Sequence, residues 1–105
     1  MSKKFFQGII LESVFLNMIN DASDRGLHGY AIFRIVQKKF GVNLAASTLY
    51  PELKHLEEEG LIIPSWELIF GKARKQYRIT RKGKFQLRED CAELRAIIPN
   101  TVICT

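Results

Sequence analysis

An α+β, mainly helical fold is what the 105-residue sequence predicts, and three observations predict it. Apolar residues recur at helical spacing in three segments before residue 60. A stretch rich in β-branched and aromatic residues then takes over, with the two-residue alternation of strands. Helical spacing returns at residue 81 and runs to the proline at 99.

Residues 5–22 read as a first helix that is apolar on nearly every side, through Phe5, Phe6, Ile9, Ile10, Leu11, Val14, Phe15, Leu16, Met18 and Ile19. A helix of that kind needs cover on more than one face, and the excess points to a partner chain. Asp21 to Gly26 reads as a polar connection. The helix starting near Gly29-Tyr30 carries Ile32, Ile35, Val36 and Phe40 at helical spacing and stops at Gly41. Asn43-Leu44 connects it to a third helix, from about Ala46 to Glu59, that ends at Gly60. Leu49, Leu53 and Leu56 form the buried stripe of that helix. Its opposite side carries Ser47, Pro51, Lys54 and Glu58, flanked by Thr48, Tyr50 and His55.

From Leu61 the pattern becomes that of a hairpin spanning 61–80. Trp66, Leu68 and Phe70 alternate with Glu67 and Ile69, Gly71-Lys72-Ala73-Arg74 reads as the turn, and Gln76 to Ile79 as the return strand. Thr80 is placed to cap a last helix over 81–98. On it Leu87, Cys91, Leu94 and Ile98 fall at i, i+4, i+7 and i+11, a narrow seam of the kind two helices share. The order helix, helix, helix, hairpin, helix is that of a winged helix-turn-helix, one domain over 1–105. Residues 29–60 form the helix-turn-helix pair, the hairpin is the wing, and helices added at both ends serve dimerisation through Phe6, Ile10, Leu87, Cys91, Leu94 and Ile98.

Charge is distributed unevenly. Leu68 to Arg88 holds eight basic residues and no acid, whereas the rest of the chain has eight basic and eleven acidic groups. So sharp a separation makes a positive face suited to a polyanion. Reading duplex DNA needs short polar groups near a helix N-terminus, cations beside it for phosphates, and a dimer that sets two reading helices about 34–36 Å apart. Ser47, Thr48, Tyr50, Pro51, Lys54 and His55 supply the first. Lys72, Arg74, Lys75 and Arg78 supply the second.

Gly29-Tyr30, Ser47-Thr48-Leu49-Tyr50-Pro51-x-Leu53-x-x-Leu56-Glu57-x-x-Gly60-Leu61-Ile62, Trp66 and Arg74-Lys75-x-Tyr77-x-Ile79-Thr80-x-x-Gly83 together resemble the signature of the PadR family over roughly residues 8–88. The resemblance implies transcriptional regulation, usually repression. It also implies a dimer built by the first and last helices, and DNA contact through the third helix and the wing. Ala45 stands where members often have a capping hydroxyl before this element, which leaves Asn43 or Ser47 as candidate caps. The last helix is short and lacks the tryptophan of some drug-sensing relatives, which argues against effector binding of that kind; a small-molecule effector of another kind is left open.

Other functions find little support. The residues offer no phosphate loop, nucleophile elbow or carboxylate–histidine cluster, so neither an enzyme nor a cofactor is expected. His28, His55, Cys91 and Cys104 lack the short paired spacings of zinc sites. Residues 5–19 are too short and too polar to span a membrane, the start makes a poor signal peptide, and the two cysteines read as reduced thiols of a cytoplasmic protein. The expected partners are palindromic double-stranded DNA and a second copy of the chain. The alternatives are a winged-helix protein-interaction module and a nucleic-acid coat without sequence preference.

Overall fold

The computed structural model describes residues 3–22 and 25–100, with side chains from residue 8 onward; Phe6's side chain and all of Cys104 lie outside that set. Helix α1 (Lys3–Asp21) leads into a two-residue strand β1 (Leu27–His28). Helices α2 (Gly29–Phe40) and α3 (Ala46–Glu58) follow, then the hairpin β2 (Ile62–Ile69) and β3 (Lys72–Ile79), and finally α4 (Arg81–Ile97). The sheet is antiparallel in the order β1-β3-β2. The mainly helical α+β winged-helix class predicted from the sequence is the class observed. Strand β1 was not foreseen, because two residues are too few to show a period of two.

Each boundary has a local cause. Helix α2 stops where Gly41 turns left-handed at φ 66° and returns its N–H to the Gln37 carbonyl. Helix α3 closes with paired bonds, Gly60 N–H to Glu57 and Leu61 N–H to Leu56, which satisfy two terminal carbonyls and turn the chain into β2. Its start has no side-chain cap. Ala45 holds the cap position, and Asn43, one of the two candidates, instead accepts a bond from Gln37 at 2.8 Å. Thr80 does cap α4, accepting the Gly83 N–H at 2.9 Å, while its hydroxyl donates to the Gly60 carbonyl at 2.7 Å. Gly83 is fixed by close approach, since a Cβ there would collide with the Leu61 carbonyl oxygen.

The hairpin turn is Phe70-Gly71, with Ile69 paired to Lys72. That corrects the expected turn at 71–74. Lys72, Ala73 and Arg74 belong to β3, because a two-residue connection is enough to reverse a hairpin.

The core joins every layer. Phe15, Leu16 and Ile19 of α1 meet Ile32 and Val36 of α2, Leu49, Leu53 and Leu56 of α3, Leu61, Ile62 and Tyr77 of the sheet, and Leu87, Cys91 and Leu94 of α4. Helix α4 packs along α1 within the same chain. Leu94 is 0% exposed, and Leu87 and Cys91 are buried with it. Three of the four seam residues assigned to dimerisation are therefore buried inside one chain. Spacing at i, i+4 and i+7 tells that a helix has a partner but not whose helix it is. Ile98 stays exposed and Ile10 half-buried. The expectation of two reduced thiols involves Cys104 and so falls outside the described residues. Among the described residues, no helix is long and apolar enough to cross a membrane.

Candidate nucleic-acid interface

Burying Leu49, Leu53 and Leu56 turns the rest of α3 outward, so Ser47, Thr48, Tyr50, Pro51, Lys54 and His55 are all exposed. The uncapped N-terminus leaves first-turn N–H groups facing outward, where the helix dipole favours an anion. Pro51 is the sixth residue of the helix. Its missing N–H leaves the Ser47 carbonyl without a helical donor, on an exposed turn.

Tyr50 and Lys54 do not stand alone. With Tyr30 from α2 and Arg74 from β3 they line an open groove of about 730 Å³ between α2, α3 and the wing, whose far end on α3 carries Glu57 and Glu58. Gly29 permits this arrangement: a Cβ there would sit 3.3 Å from the Tyr50 ring. Tyr30 is exposed and stacks on Phe33, with ring centroids 5.8 Å apart. The groove continues onto α2, where Arg34 and Lys38 join Tyr30 and Arg74 around a second depression. Arg34 and Lys38 were missed as candidate site residues, although their i, i+4 spacing puts both on one helix face.

The wing cations divide. Lys72 and Arg78 are exposed but do not line the groove. Lys75 is half-buried. Its Nζ lies 3.3 Å from the Glu57 carboxylate of α3 and 5.5 Å from the Tyr77 ring centre, so it ties the wing to α3 and is not free for a phosphate. Burial pushes the Tyr77 hydroxyl's pKa up, and the Lys75 charge offsets part of that shift. Lys54 approaches Glu58 at 3.9 Å, but both side chains remain largely in solvent, where such a pair holds weakly.

His55 lies on another side of α3. It lines a cleft of about 350 Å³ with Glu12, Glu52, Gln86, Asp90 and Glu93, away from the groove that holds Tyr50 and Lys54. Burial, a hydrogen bond with Asp90 and the charges of Asp90, Glu52 and Glu59 push Glu12 up to about 8. Burial raises Glu52 as well, and His55 pulls it partly back. Duplex DNA would be repelled from such a cleft, which sets His55 apart from the other α3 candidates. The residue count along the helix placed it near Lys54; of the acids around it only Glu52 lies on α3, while Glu12, Asp90 and Glu93 come from α1 and α4, beyond the reach of local spacing.

Among the described residues, no group of three or more histidine, cysteine or acidic side chains is arranged to hold a metal ion.

The chain is 33% identical over 78 residues to a transcriptional regulator of Mycobacterium tuberculosis, covering 74% of this chain and 72% of that one. A PadR-like transcriptional regulator of Bacillus cereus superposes with a TM-score of 0.73 at 27% identity, over 86% of this chain and 85% of that structure. A PadR family regulator of Eggerthella lenta gives 0.70 at 26%, over 91% and 84%. A regulator of Clostridium thermocellum gives 0.77 over 95% and 99%, at 23% identity a likeness of fold alone. Residues 16–89 match the PadR-like transcriptional regulator family, and the chain belongs to it.

Proposed function

We propose that this regulator acts as a homodimer that binds a palindromic duplex operator sequence-specifically and represses transcription by occupying it. The observation that carries the reading is the convergence of Tyr50 and Lys54 with Tyr30 and Arg74 in one groove, on a helix whose N-terminus has no side-chain cap. Ser47, Tyr50 and Lys54 would meet base edges in the major groove, with Pro51 offering an apolar ring to sugar or a thymine methyl, while Thr48 sits at the rim of an apolar cleft against α1 and α2. Lys72, Arg74 and Arg78, with Arg34 and Lys38 beside them, would neutralise phosphates.

Dimerisation would use apolar surface that one chain leaves uncovered. Ile10, Leu11, Val14, Phe40, Val42 and Leu44 line an apolar cleft of about 530 Å³, and Ile97 and Ile98 stay exposed at the end of α4. Two copies so joined would place two reading helices one turn of DNA apart, about 10–10.5 bp between half-site centres.

Selection of bound duplexes from a random pool tests the proposal. The expected result is an inverted repeat, bound by two chains per duplex. Equal recovery of all sequences would reduce the protein to a coat without preference. No recovery at all would favour a protein-interaction module.

A further inference from the structure

The wing carries a feature that phosphate contacts do not use. Phe70 is 102% exposed at the hairpin tip and holds φ at 51°, in the left-handed region that an aromatic residue rarely adopts. Gly71 follows at φ 77°. Two positive φ values in a two-residue loop mark the type I′ turn, whose first position favours Asn, Asp or Gly. A bulky ring at that position is exposed and strained together, and nothing among the described residues compensates for either.

Its surroundings indicate what would. Residues opposite one another on paired strands share a face of the sheet. Trp66 lies opposite Lys75 and Leu68 opposite Ala73, so Trp66 and Leu68 stand on the face that carries Lys75 and Tyr77, the face turned toward α3. Trp66 and Leu68 are both exposed. An apolar row thus continues the groove of Tyr50 and Lys54 outward along the wing and ends at Phe70. Lys72 and Arg74 flank the tip, and Glu67 is the only acid on either strand. A protein partner would suit the apolar row alone; Lys72 and Arg74, paired with Ile69 and Glu67 on the opposite face of the same narrow hairpin, with Arg74 also lining the groove of Tyr50 and Lys54, favour a polyanion with an apolar interior. Duplex DNA has that chemistry, with charged phosphates outside and stacked bases within.

We infer that Phe70 is a wedge: as the wing enters the minor groove beside the reading helix, its ring inserts at a base step, unstacks it and bends the operator. This rests on the DNA-binding reading above and adds a deformation to it. Apolar side chains inserted from the minor groove bend duplexes by roughly 20–90°. The sequence preference that follows comes from how readily a step opens, pyrimidine–purine steps most easily.

The test uses duplexes recovered by the selection, with dyes at both ends to report bending and 2-aminopurine placed in turn along the minor-groove flank to report unstacking. Phe70→Asn is the decisive variant, because Asn-Gly is the favoured pair for this turn and the hairpin should melt no earlier than in the parent. With the parent protein, the end-to-end distance should shorten and one flanking step should brighten. Phe70→Asn should lose both signals and bind about ten- to hundredfold more weakly, the range one base–aromatic contact supplies. Equal bending and affinity in Phe70→Asn would overturn the wedge and leave the DNA-binding reading standing. Unchanged DNA binding with a fall in sedimentation coefficient would also overturn it, by assigning the row to a protein contact. Selection that recovers no duplex with the parent protein would remove both readings together.

Discussion

Two sides of α3, separated by a single buried stripe, have opposite characters. Toward the wing, Tyr50 and Lys54 face Tyr30 and Arg74. Toward α1 and α4, Glu52 and His55 face Glu12, Asp90 and Glu93. Leu49, Leu53 and Leu56 hold the helix between them. The groove side also carries Glu57 and Glu58, so what draws a polyanion there is Lys54 together with Arg74 of the wing, whereas the other side gathers acids from three helices around His55. The contrast orients the reading helix before any base is touched. A net charge of +5 does not convey this, since what matters is where the acids are gathered.

The stripe is where the contrast can be broken outright. Leu53 is 1% exposed, and Leu53→Ala should cost about 2–5 kcal/mol of stability through the apolar burial it removes and the cavity left behind. Both sides of α3 should fail together, read as a lower urea midpoint with parallel loss of operator binding. A variant that kept its midpoint would show that the helix is held by its ends and not by its stripe.

Within a folded protein the two sides should separate. Lys54→Ala should narrow the gap between selected and random DNA by about 1–3 kcal/mol if Lys54 contacts a base. Arg74→Ala should weaken all sequences alike and lower the log–log salt slope by about 0.9 for each phosphate it no longer neutralises. Neutralising the other side, as in Glu93→Gln, should leave discrimination unchanged. Affinities for both duplexes across a salt titration check all three. An Arg74 variant that lost discrimination while the Lys54 variant lost only slope would make the wing the reader.

How much of this was legible in sequence depends on the range of the interactions involved. Helix α3, its leucine stripe and its stop at Gly60 follow from local spacing and local backbone bonding, so they were readable. So were Thr80 as a cap and the hairpin's two strands. The turn was misplaced because Phe70 is a poor residue for a left-handed position, so sequence preference pointed to the more ordinary Gly71-Lys72-Ala73-Arg74. Of the candidate site, Tyr50, Lys54 and Arg74 come together in the groove as expected, whereas Lys75 and His55 are drawn elsewhere by Glu57 and by acids from α1 and α4. Partners of that kind come from distant segments, and no periodicity announces them. The seam on α4 was read correctly as a helix needing cover, but the cover is α1 of the same chain.

The acidic side makes a pH prediction. Glu12 holds its proton to about pH 8 in the folded chain, against an ordinary value of 4.5. The folded state therefore binds that proton more tightly than the unfolded one. The stability it contributes is complete below about pH 4.5 and is lost as pH rises through 8. Glu12→Gln keeps the hydrogen-bonding shape without the charge. At pH 8.5 it should be the more stable protein by about 1 kcal/mol, well under the full value of the shift because solvent screens a partly exposed carboxyl. Near pH 5 the difference should shrink toward zero. Urea midpoints at the two pH values decide it, and a constant difference would mean that Glu12 is not the group that titrates.

The smallest effect concerns the link between the wing and the reading side of α3. Lys75 and Glu57 lie 3.3 Å apart with about a third of each side chain in solvent, so their pairing should contribute only about 0.2–1 kcal/mol. Its value lies in geometry, since it fixes β3 against α3 near Arg74 and Lys54. A double-mutant cycle of Lys75→Met and Glu57→Gln should return that small coupling in stability and lose most of it in high salt, where exposed pairs are screened. Operator binding should respond differently from stability. Lys75→Met should leave the salt slope nearly unchanged, because a lysine already held by Glu57 neutralises no phosphate, whereas Arg74→Ala lowers it. If Lys75→Met lowered the slope as much as Arg74→Ala, the lysine would leave Glu57 on binding. The tie between wing and helix would then be a feature of the free protein alone.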